Sequence, residues 1–596
     1  MAVDKQVVDA EQLIVQHLDL WTSAQTAKST AGRGSNNKIE LTGIKKLREL
    51  ILELAVRGKL VPQDPNDEPA SELLKKIIDR REALVKRGDL KKNKQLLPVD
   101  ESDRSFNIPL NWCWSRLGEI YDVRDGTHDT PKYVDSGYPL VTSKNLVCDQ
   151  IDFENVNFIS GEDHSKISER SSVAKGDVLM AMIGTIGNPV VVKTDRQFSI
   201  KNVALFKCIS GIKLSGEFLL TFLKFATVHL KEQSAGGVQA FVSLNMLRNF
   251  PIALPPLEEQ FRIADKVEEL MALCDQLEQQ SYQSIDAHNQ LVDTLLQTLV
   301  DSANAGELAS NWQRLSEHFD TLFTTEYSID ALKQTILQLA VMGKLVKQDP
   351  TDEPASELLK RIAKEKEALV KAGKIKKQKP LPPITDAEKP FELPNGWEWC
   401  RLDELSLGSE AGWSPQCENY PRESGKWGVL KVSAVTWGAY NETENKALPI
   451  HLEPKVEFEV KPFDFLISRA NTAELVARAV VVPADAQSKL MLSDKIIRFR
   501  FTEHIAVNYV NLVNNSLLSR HYYAQVAGGT SSSMKNVSRI QIQHLLIPLP
   551  PQSEQLRILA KVNDVQVICQ ELLKKLEQFQ NKQVEIASAL AEQGMI

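Results

Sequence analysis

Two kinds of hydrophobic pattern alternate along the chain. From Ile44 to Leu54, apolar residues recur every three or four positions, the period of a helix with one buried face. Gly58 follows where such a helix would end, because glycine readily takes the left-handed conformation of a helix C-terminus. Between about 105 and 250, and again between about 390 and 545, short runs rich in Val, Ile and Phe are separated by Gly, Pro, Asn and Ser. These runs are typical of β-strands.

The helical segments occur twice, at an offset of about 285 residues from Ile51 to Ile336. The paired segments are 51–65 with 336–350, 67–75 with 352–360, and 109–117 with 394–402. This offset is far longer than the roughly 20 to 50 residues of a solenoid repeat, so each copy is long enough for a whole domain. The strand-rich regions resemble each other much less than their flanks do. The sequence therefore predicts a repeated helical frame around two divergent inserts.

Each insert ends in a related Leu-Pro-Pro segment, 254–267 and 549–562, after which apolar residues follow a heptad spacing. The spacing predicts two equivalent helices of about 40 residues, each roughly 60 Å long. The expected seam residues are Ile263, Val267, Leu270 and Leu277 in the first helix and Ile558, Val562, Val565 and Leu572 in the second. We expect these helices to pack as an antiparallel pair; packing on the inserts is the alternative.

The predicted fold class is α/β (α+β), with two twisted-sheet domains held apart by a long antiparallel two-helix coiled coil and related by internal pseudo-two-fold symmetry. The expected boundaries are 1–38 for an N-terminal segment and flexible linker, 39–100 for the first helical frame repeat, 101–254 for the first insert, 255–328 for the long central helix and connection, 329–385 for the second frame repeat, 386–549 for the second insert and 550–596 for the C-terminal long helix.

The amino-acid composition argues against several classes of protein. The 596 residues are 42% hydrophobic and 25% charged, which is ordinary for a globular protein. Seven cysteines are scattered without a Cys-x-x-Cys pair, which argues against a disulfide framework and a zinc site. No apolar run reaches the roughly 18 residues of a membrane span, and the N-terminus lacks a secretory signal, so a cytoplasmic location is expected. The net charge of −7 does not itself indicate a nucleic-acid binder, although local basic faces are compatible with it.

The duplicated organisation favours a target with its own approximate two-fold symmetry and fixed spacing. Duplex DNA offers successive major-groove faces roughly 34 Å apart. The repeated flanks, the Leu-Pro-Pro-x-x-Glu-Gln-x-Arg-Ile motif and the segment 464–476 together resemble the DNA-specificity subunit of type I restriction-modification systems. The resemblance covers nearly the whole chain, and it implies that each insert is a target-recognition domain for one half of a split site.

The same resemblance implies that the chain is not itself an enzyme. It implies double-stranded DNA, modification (methyltransferase) subunits and restriction (translocase/endonuclease) subunits as partners, with no cofactor on this chain and with S-adenosylmethionine, ATP and Mg²⁺ on the partner subunits. The sequence lacks a Walker phosphate loop, an Asn/Asp-Pro-Pro-Tyr segment and a His-Glu-x-x-His metal site. A scaffold that does not read DNA and a nuclease with an unrecognised site remain the alternatives. The helices at 44–88 and 329–373 are candidates for partner docking.

Polar loops near strand ends supply the candidate DNA-binding residues, because hydroxyl, amide and basic groups contact base edges and phosphates. An ordinary solvated turn is the alternative for each loop. In the first insert the candidates are Gly126, Thr127, His128, Lys132, Tyr133, Lys144, Asn145, Lys201 and Asn202. In the second insert they are Gly412, Ser414, Gln416, Arg469, Asn471, Ser532 and Lys535. Trp413 is interpreted as a packed ring rather than a base reader.

Overall fold

The computed structural model describes residues 14–28, 38–91, 96–233, 241–377, 381–436, 438–531 and 534–595. The described residues divide into two compact units. Unit one contains 14–28, the described part of 38–283, and 579–595. Unit two contains the described part of 284–578. Each long helix therefore has one end in unit one and the other end in unit two.

The helices include the repeated frame helices and the two long helices that the sequence predicts, together with further helices in and around the inserts. In unit one they are Leu18–Ser23, Thr42–Val56, Ala70–Lys86, Leu117–Ile120, Gly161–Ser171, Gly216–Gln233 and Leu244–Asn249. In unit two they are Ala305–Glu317, Phe319–Leu322, Glu326–Val341, Ala355–Lys371, Leu402–Leu405, Val507–Asn515, Leu517–Val526 and Arg539–Gln543. The long helices are Leu257–Asp301 and Gln552–Met595, of 45 and 44 residues.

Glycine ends the first repeated helix in both units. Gly58 and Gly343 have φ angles of +68° and +70°, which an L side chain adopts only with strain. Lys344 N donates to Leu339 O, closing the last turn in the manner of a Schellman cap, and Lys59 N does the same to Leu54 O. The turn after each helix is thus fixed by the same backbone geometry.

Unit one contains two four-stranded sheets. The first is antiparallel and has the order Gly187–Val191, Val178–Ala181, Val203–Cys208, Tyr121–Asp125. The second has the order Ser199–Ile200, Tyr138–Val141, Asn157–Ile159, Tyr133–Val134, and its first two strands are parallel. Buried side chains such as Leu179, Leu205 and Ile200 form one core cluster of this insert. The two-stranded pairs are Thr26–Lys28 with Lys38–Glu40, Cys113–Arg116 with Pro251–Leu254, and Leu146–Val147 with Gln150–Ile151.

Unit two repeats this strand order despite its different sequence. Its four-stranded antiparallel sheet has the order Ala479–Val481, Phe465–Ser468, Ile496–Phe501, Ser406–Ala411. Its second sheet has the order Leu490–Met491, Gly428–Leu430, Asn445–Ala447, again with the first two strands parallel. Glu398–Arg401 pairs with Leu546–Leu549, and a further sheet has the order Ala470–Asn471, Met534–Asn536, Gly528–Ser531. The inserts diverge in sequence, yet their main sheets share one topology.

The expected seam positions are buried or half-buried. Ile263, Val267, Leu270 and Leu277 are all buried, and so are Ile558 and Val562. Val565 and Leu572 are half-buried and pack, with Ile558 and Val562, in a core that includes the repeat helix Glu326–Val341. The end of the first long helix enters the same core. Its buried residues there are Val292, Leu296 and Leu299, whereas Leu291 is 50% exposed. The antiparallel coiled coil stays a prediction.

A duplicated buried network joins each long helix to its frame. In unit one the Glu259 side chain accepts from Trp112 Nε1 at 3.0 Å and from Gln63 Nε2 at 2.6 Å. In unit two Glu554 accepts from Trp397 Nε1 at 3.0 Å and from Gln348 Nε2 at 3.1 Å. Burial raises the pKa of both carboxyl groups, and the donated hydrogen bonds oppose that shift.

An arginine and a glutamine that recur in both copies of the Leu-Pro-Pro motif also make the same contacts in the two units. Arg262 forms a two-point ion pair with Asp67, and Arg557 forms the same pair with Asp352. Gln260 and Gln555 are fully buried and donate to the carbonyls of Pro255 and Pro550. The Trp112 and Trp397 rings are 5% exposed, consistent with core packing rather than base stacking. The sequence repeat is therefore a repeat of buried structural contacts.

Candidate nucleic-acid interface

Three loops of unit one that are distant in sequence meet at one end of its sheets. Thr127 forms a parallel bridge with Lys201, and Thr127 N donates to Ile200 O at 3.0 Å. Lys201 N donates to Val141 O, and the Lys201 ammonium donates to Thr130 Oγ1. Backbone contacts therefore bring the 126–130 loop, the 201–202 turn and the end of strand Tyr138–Val141 together.

Gly126 permits this close approach. Its amide donates to Val203 O at 3.0 Å. A Cβ atom at Gly126 would overlap the backbone carbonyl of Ile200, which backbone hydrogen bonds hold in place. Only glycine therefore fits here without displacing the Ile200 backbone.

His128 lies at the centre of a polar group in this loop. Its Nε2 is 2.8 Å from Asp125 Oδ2, and its Nδ1 is 3.2 Å from Asn202 Oδ1. Asp125 is buried, and it also forms an ion pair with Arg170. The imidazole is 53% exposed, so one edge is held by a buried carboxylate while the ring stays accessible. Asn202 has a φ of +55°, which places it at the apex of its turn.

The other candidates of the first insert fall into two groups. Lys132, Tyr133 and Lys144 are exposed. Asn145 is 4% exposed, and its side chain is used within the protein. Its Oδ1 accepts from the backbone and hydroxyl of Thr142, while its Nδ2 donates to Asn155 O. The geometry of Asn145 favours a turn-holding role over contact with a base.

Unit two places an equivalent loop on an equivalent backbone. Gly412 N donates to Ser493 O at 3.2 Å, and Trp413 N donates to Leu492 O at 2.9 Å. A Cβ at Gly412 would overlap the carbonyl of Leu492, as one at Gly126 would overlap that of Ile200. The two glycines correspond in structure, as their positions in sequence predict.

The polar groups on this second loop differ from those on the first. Ser414 Oγ donates to Asp494 Oδ1 at 2.5 Å, while Asp494 N donates back to the same hydroxyl at 3.0 Å. Gln416 is exposed. The half-buried Trp413 ring lies under the Lys455 ammonium at 4.6 Å, in agreement with a packed ring.

A second segment of unit two approaches the same turn. Arg469 is half-buried, and its amide donates to Lys495 O at 2.9 Å. Asn471 Nδ2 donates to Thr436 Oγ1 at 3.3 Å, and strand Ala470–Asn471 pairs with Met534–Asn536. Lys535 donates through its ammonium to Gly529 O. Ser532 lies outside the described residues.

The chain is similar in sequence to one protein family and to several individual proteins. The family of the type I restriction modification DNA specificity domain matches residues 109–287. The specificity subunit of type I restriction enzyme EcoEI from Escherichia coli is 44% identical over 609 aligned residues, covering 98% of this chain and 99% of that protein. The chain belongs to the type I restriction enzyme specificity subunits. The EcoAI specificity subunit, also from Escherichia coli, is 41% identical and covers 98% of this chain and 99% of that protein.

A solved HsdS subunit from Thermoanaerobacter tengcongensis is 19% identical, with a TM-score of 0.40; the match covers 83% of this chain and 98% of that one. Type I specificity subunits are not catalytic, and the catalytic activities reside on other subunits of the enzyme. Among the described residues of this specificity subunit, no helix is both long and apolar enough to cross a membrane, and no cluster of three His, Cys, Asp or Glu side chains is arranged to hold a metal.

Several polar groups of this specificity subunit could not be identified from sequence patterns. Arg170 pairs with Asp125, which in turn contacts His128, yet Asp125 and Arg170 are 45 residues apart and no local pattern joins them. Thr130 and Asp494 complete the loops of the two units. Asp494 directly follows Ser493 between two strand-like runs, so its place in a turn was the one available signal.

Proposed function

We propose that this specificity subunit reads a bipartite DNA target, with unit one contacting one half-site and unit two contacting the other. The reading groups are the loop around His128, Lys201 and Asn202 in unit one, and the loop around Ser414 with the Arg469 segment in unit two. The long helices set the number of unread base pairs between the half-sites. The subunit supplies recognition and docks partners that carry out methylation and cleavage.

One observation carries this proposal: the same buried framework supports two loops whose exposed chemistry differs. The Glu259 and Glu554 networks match contact for contact, and so do the main-sheet topologies. The loop positions after Gly126 and Gly412 carry unlike side chains. Such an arrangement suits two readers of unlike sequences on a common support, because base identity is read by side-chain groups while the scaffold fixes register.

The local charge of unit one supports contact with the phosphate backbone. Lys132 and Lys144 are exposed, and Lys201 joins them on the loops that meet at the sheet ends. Lysines at this place provide the electrostatic component of DNA binding that the net charge of −7 does not. The proposal therefore rests on local basic groups rather than on overall charge.

The second long helix offers a surface for protein partners. It carries large apolar side chains that the chain itself leaves exposed, and exposed apolar groups of this kind mark interaction sites. In unit two they are Leu556, Val567, Ile568 and Leu573. We propose that modification subunits dock there, in addition to the repeat helices that the sequence analysis named. S-adenosylmethionine, ATP and Mg²⁺ then belong to the partners, and the assembled enzyme acts in the cytoplasm.

The test is an adenine-methylation map of cells carrying this gene beside its methyltransferase gene. Cells lacking only this gene are the matched control. We expect a split motif with a fixed gap that disappears in the control. A map unchanged by the deletion, together with no sequence-specific DNA retention by the purified complex, would favour the scaffold. Cleavage of DNA by the purified chain with metal alone would favour the nuclease.

A further inference from the structure

Arg469 of unit two has a fixed backbone and an unused side chain. It directly follows strand Phe465–Ser468, where its amide donates to Lys495 O and its carbonyl accepts from Val537 N, each at 2.9 Å. The backbone is therefore held from both sides. Within the described part of the chain, the guanidinium makes no hydrogen bond, and its Nε is buried without a partner. The buried Nε–H is therefore an unmet donor.

Two buried hydroxyl groups also have no hydrogen-bond partner among the described residues, one on the segment that carries Arg469 and one on the turn that its backbone contacts. Thr472 Oγ1 is buried and lies three residues further along the same segment. Ser493 Oγ is buried at the turn whose carbonyl accepts from Gly412 N. A buried polar group without a partner costs about 1–3 kcal/mol, so native proteins seldom retain several together. Arg469 and Thr472 lie on one segment, and Ser493 lies two residues before Lys495, whose carbonyl accepts from Arg469 N, so one bound ligand could supply partners to this part of unit two.

A buried arginine on the neighbouring strand of unit two, Arg498, is well supplied with partners. Arg498 is 1% exposed and contacts Glu410, Asp464 and the carbonyls of Glu457 and Glu459. Arg520 Nε is also buried without a partner, but the Arg520 guanidinium donates to the carbonyls of Val476, Ala477 and Asn514, whereas that of Arg469 donates to none of the described residues.

Unit one has no equivalent group. Strand pairing aligns Ala181 with Ser468, since each ends its strand opposite the first residue of the neighbouring strand. The next residue is Met182, whose carbonyl accepts from Val242 N just as Arg469 O accepts from Val537 N. Met182 is 1% exposed and apolar. The backbone is shared and the donor is confined to unit two.

The chemistry of the donors selects the ligand. A planar guanidinium with two hydroxyls offers hydrogen-bond donors, and a base that presents two neighbouring acceptors matches it. Guanine shows O6 and N7 acceptors in the major groove, whereas adenine shows one acceptor beside an amino donor. We propose that Arg469 reads a guanine in the half-site of unit two, with the Ser493 and Thr472 hydroxyls as further hydrogen-bonding groups when DNA is bound. This inference rests on the proposed function.

The experiment uses the full chain in complex with its methyltransferase subunits and a duplex library randomised over the target. Methylated products of the wild type, Arg469→Ala, Arg469→Lys and Ser493→Ala are sequenced. Arg500→Lys is the matched control, because Arg500 is an exposed arginine on the neighbouring strand Ile496–Phe501. We expect Arg469→Ala to lose preference at one G·C pair by about 10- to 100-fold, with the other half-site unchanged. Ser493→Ala relaxes the same position less, and Arg500→Lys leaves the motif unchanged.

Different results would overturn the role of Arg469 and the proposed function on which it rests. Weaker binding to every sequence with an unchanged motif, and a shallower salt dependence, would make Arg469 a phosphate contact and overturn the inference. An Arg469→Lys variant that folds and keeps full guanine preference would also overturn it, since lysine lacks the planar two-donor fork. A wild-type complex that methylates without any motif would instead defeat the proposed function itself.

Discussion

The two inserts share a backbone but place their polar groups on different segments. In unit one, His128 and Asn202 form the accessible polar group, and buried Asp125 holds it. In unit two, the residue aligned with Asp125 is Ala411, because each pairs with the second residue of the neighbouring strand. There the unused donors lie on Arg469, where unit one has Met182. Main-chain hydrogen bonds thus maintain the fold of both inserts, and the side chains are free to differ in the bases that they contact.

The largest expected effect is a change in the site that the enzyme accepts. Inserting one heptad in the helix at 263–299 adds roughly 10 Å of helix, close to three base-pair steps of duplex DNA. We expect a wider gap in the methylated motif and unchanged half-sites, read from a methylation map. An equal-length insertion at the C-terminal end of the chain is the control. Altered half-sites would refute the division between reading inserts and spacing frame.

The matched frame predicts equal stability losses in the two units. Replacing Trp112 or Trp397 by Ala removes a buried ring and a hydrogen bond to a buried carboxylate. We expect each variant to lose about 3–5 kcal/mol of unfolding free energy in its own unit, measured by denaturant unfolding of the full chain. Trp312→Ala is the control, because its ring is 37% exposed. A large loss in one unit and none in the other would show that the frames are not equivalent.

The two loop glycines should be equally intolerant of a side chain. Gly126→Ala and Gly412→Ala each force a methyl group onto a backbone carbonyl, so the loop must move at a cost of about 1–3 kcal/mol. We expect weaker DNA binding with degeneracy in the half-site of the altered unit, measured by binding to point-substituted duplexes. Gly161→Ala and Gly528→Ala are controls, since a Cβ there meets no close neighbour. Wild-type discrimination in both variants would remove the glycines from the interface.

A smaller effect is expected from His128→Ala. Loss of the ring removes one reading group and frees Asp125, so we predict about a tenfold loss of discrimination in the half-site of unit one. The measurement is the methylated motif from a randomised library. Asp129→Ala, on an exposed neighbour in the same loop, is the control. Relaxation in the half-site assigned to Arg469 would contradict the assignment of units.

The smallest effect concerns the frame of unit two at acid pH. The Thr385 amide and then the Arg401 guanidinium lower the pKa of Glu388 from 4.5 to about 2. A lowered folded-state pKa contributes stability above pH 4.5, and that stability is lost as pH falls toward 2. We expect Glu388→Gln to flatten this part of the stability profile of unit two. The 39% exposure of the carboxylate keeps the effect small, and an unchanged profile would exclude the ion pair with Arg401.

The sequence predicted the frame well because its signals are local. The apolar period, Pro69 before helix Ala70–Lys86 and the glycines after the first repeat helices all lie within a few residues of what they determine. The heptad rule was less accurate at the end of the first long helix. Heptad spacing extends the seam to Leu291, Leu295 and Leu299, of which Leu299 is buried and Leu295 half-buried, whereas Leu291 is 50% exposed and its neighbour Val292 is buried instead.

The shared strand order of the inserts was not visible in sequence. It depends on pairs such as Ala204 with Asp125, whose partners are about 80 residues apart and carry no common motif. The residues of the candidate site could likewise be predicted only in part. Loop residues such as Gly126 and Asn202 were identifiable from turn chemistry, whereas the Asp125–Arg170 pair and the unpartnered Ser493 hydroxyl exist only after folding.

The most direct test of the division into two independent readers is the methylated motif of three complexes: wild type, His128→Ala and Arg469→Ala. We expect each substitution to relax a single half-site, the two relaxed half-sites to differ, and the gap to be the same in all three motifs. Relaxation of the same half-site by both substitutions, or of both half-sites by either one, would contradict that division.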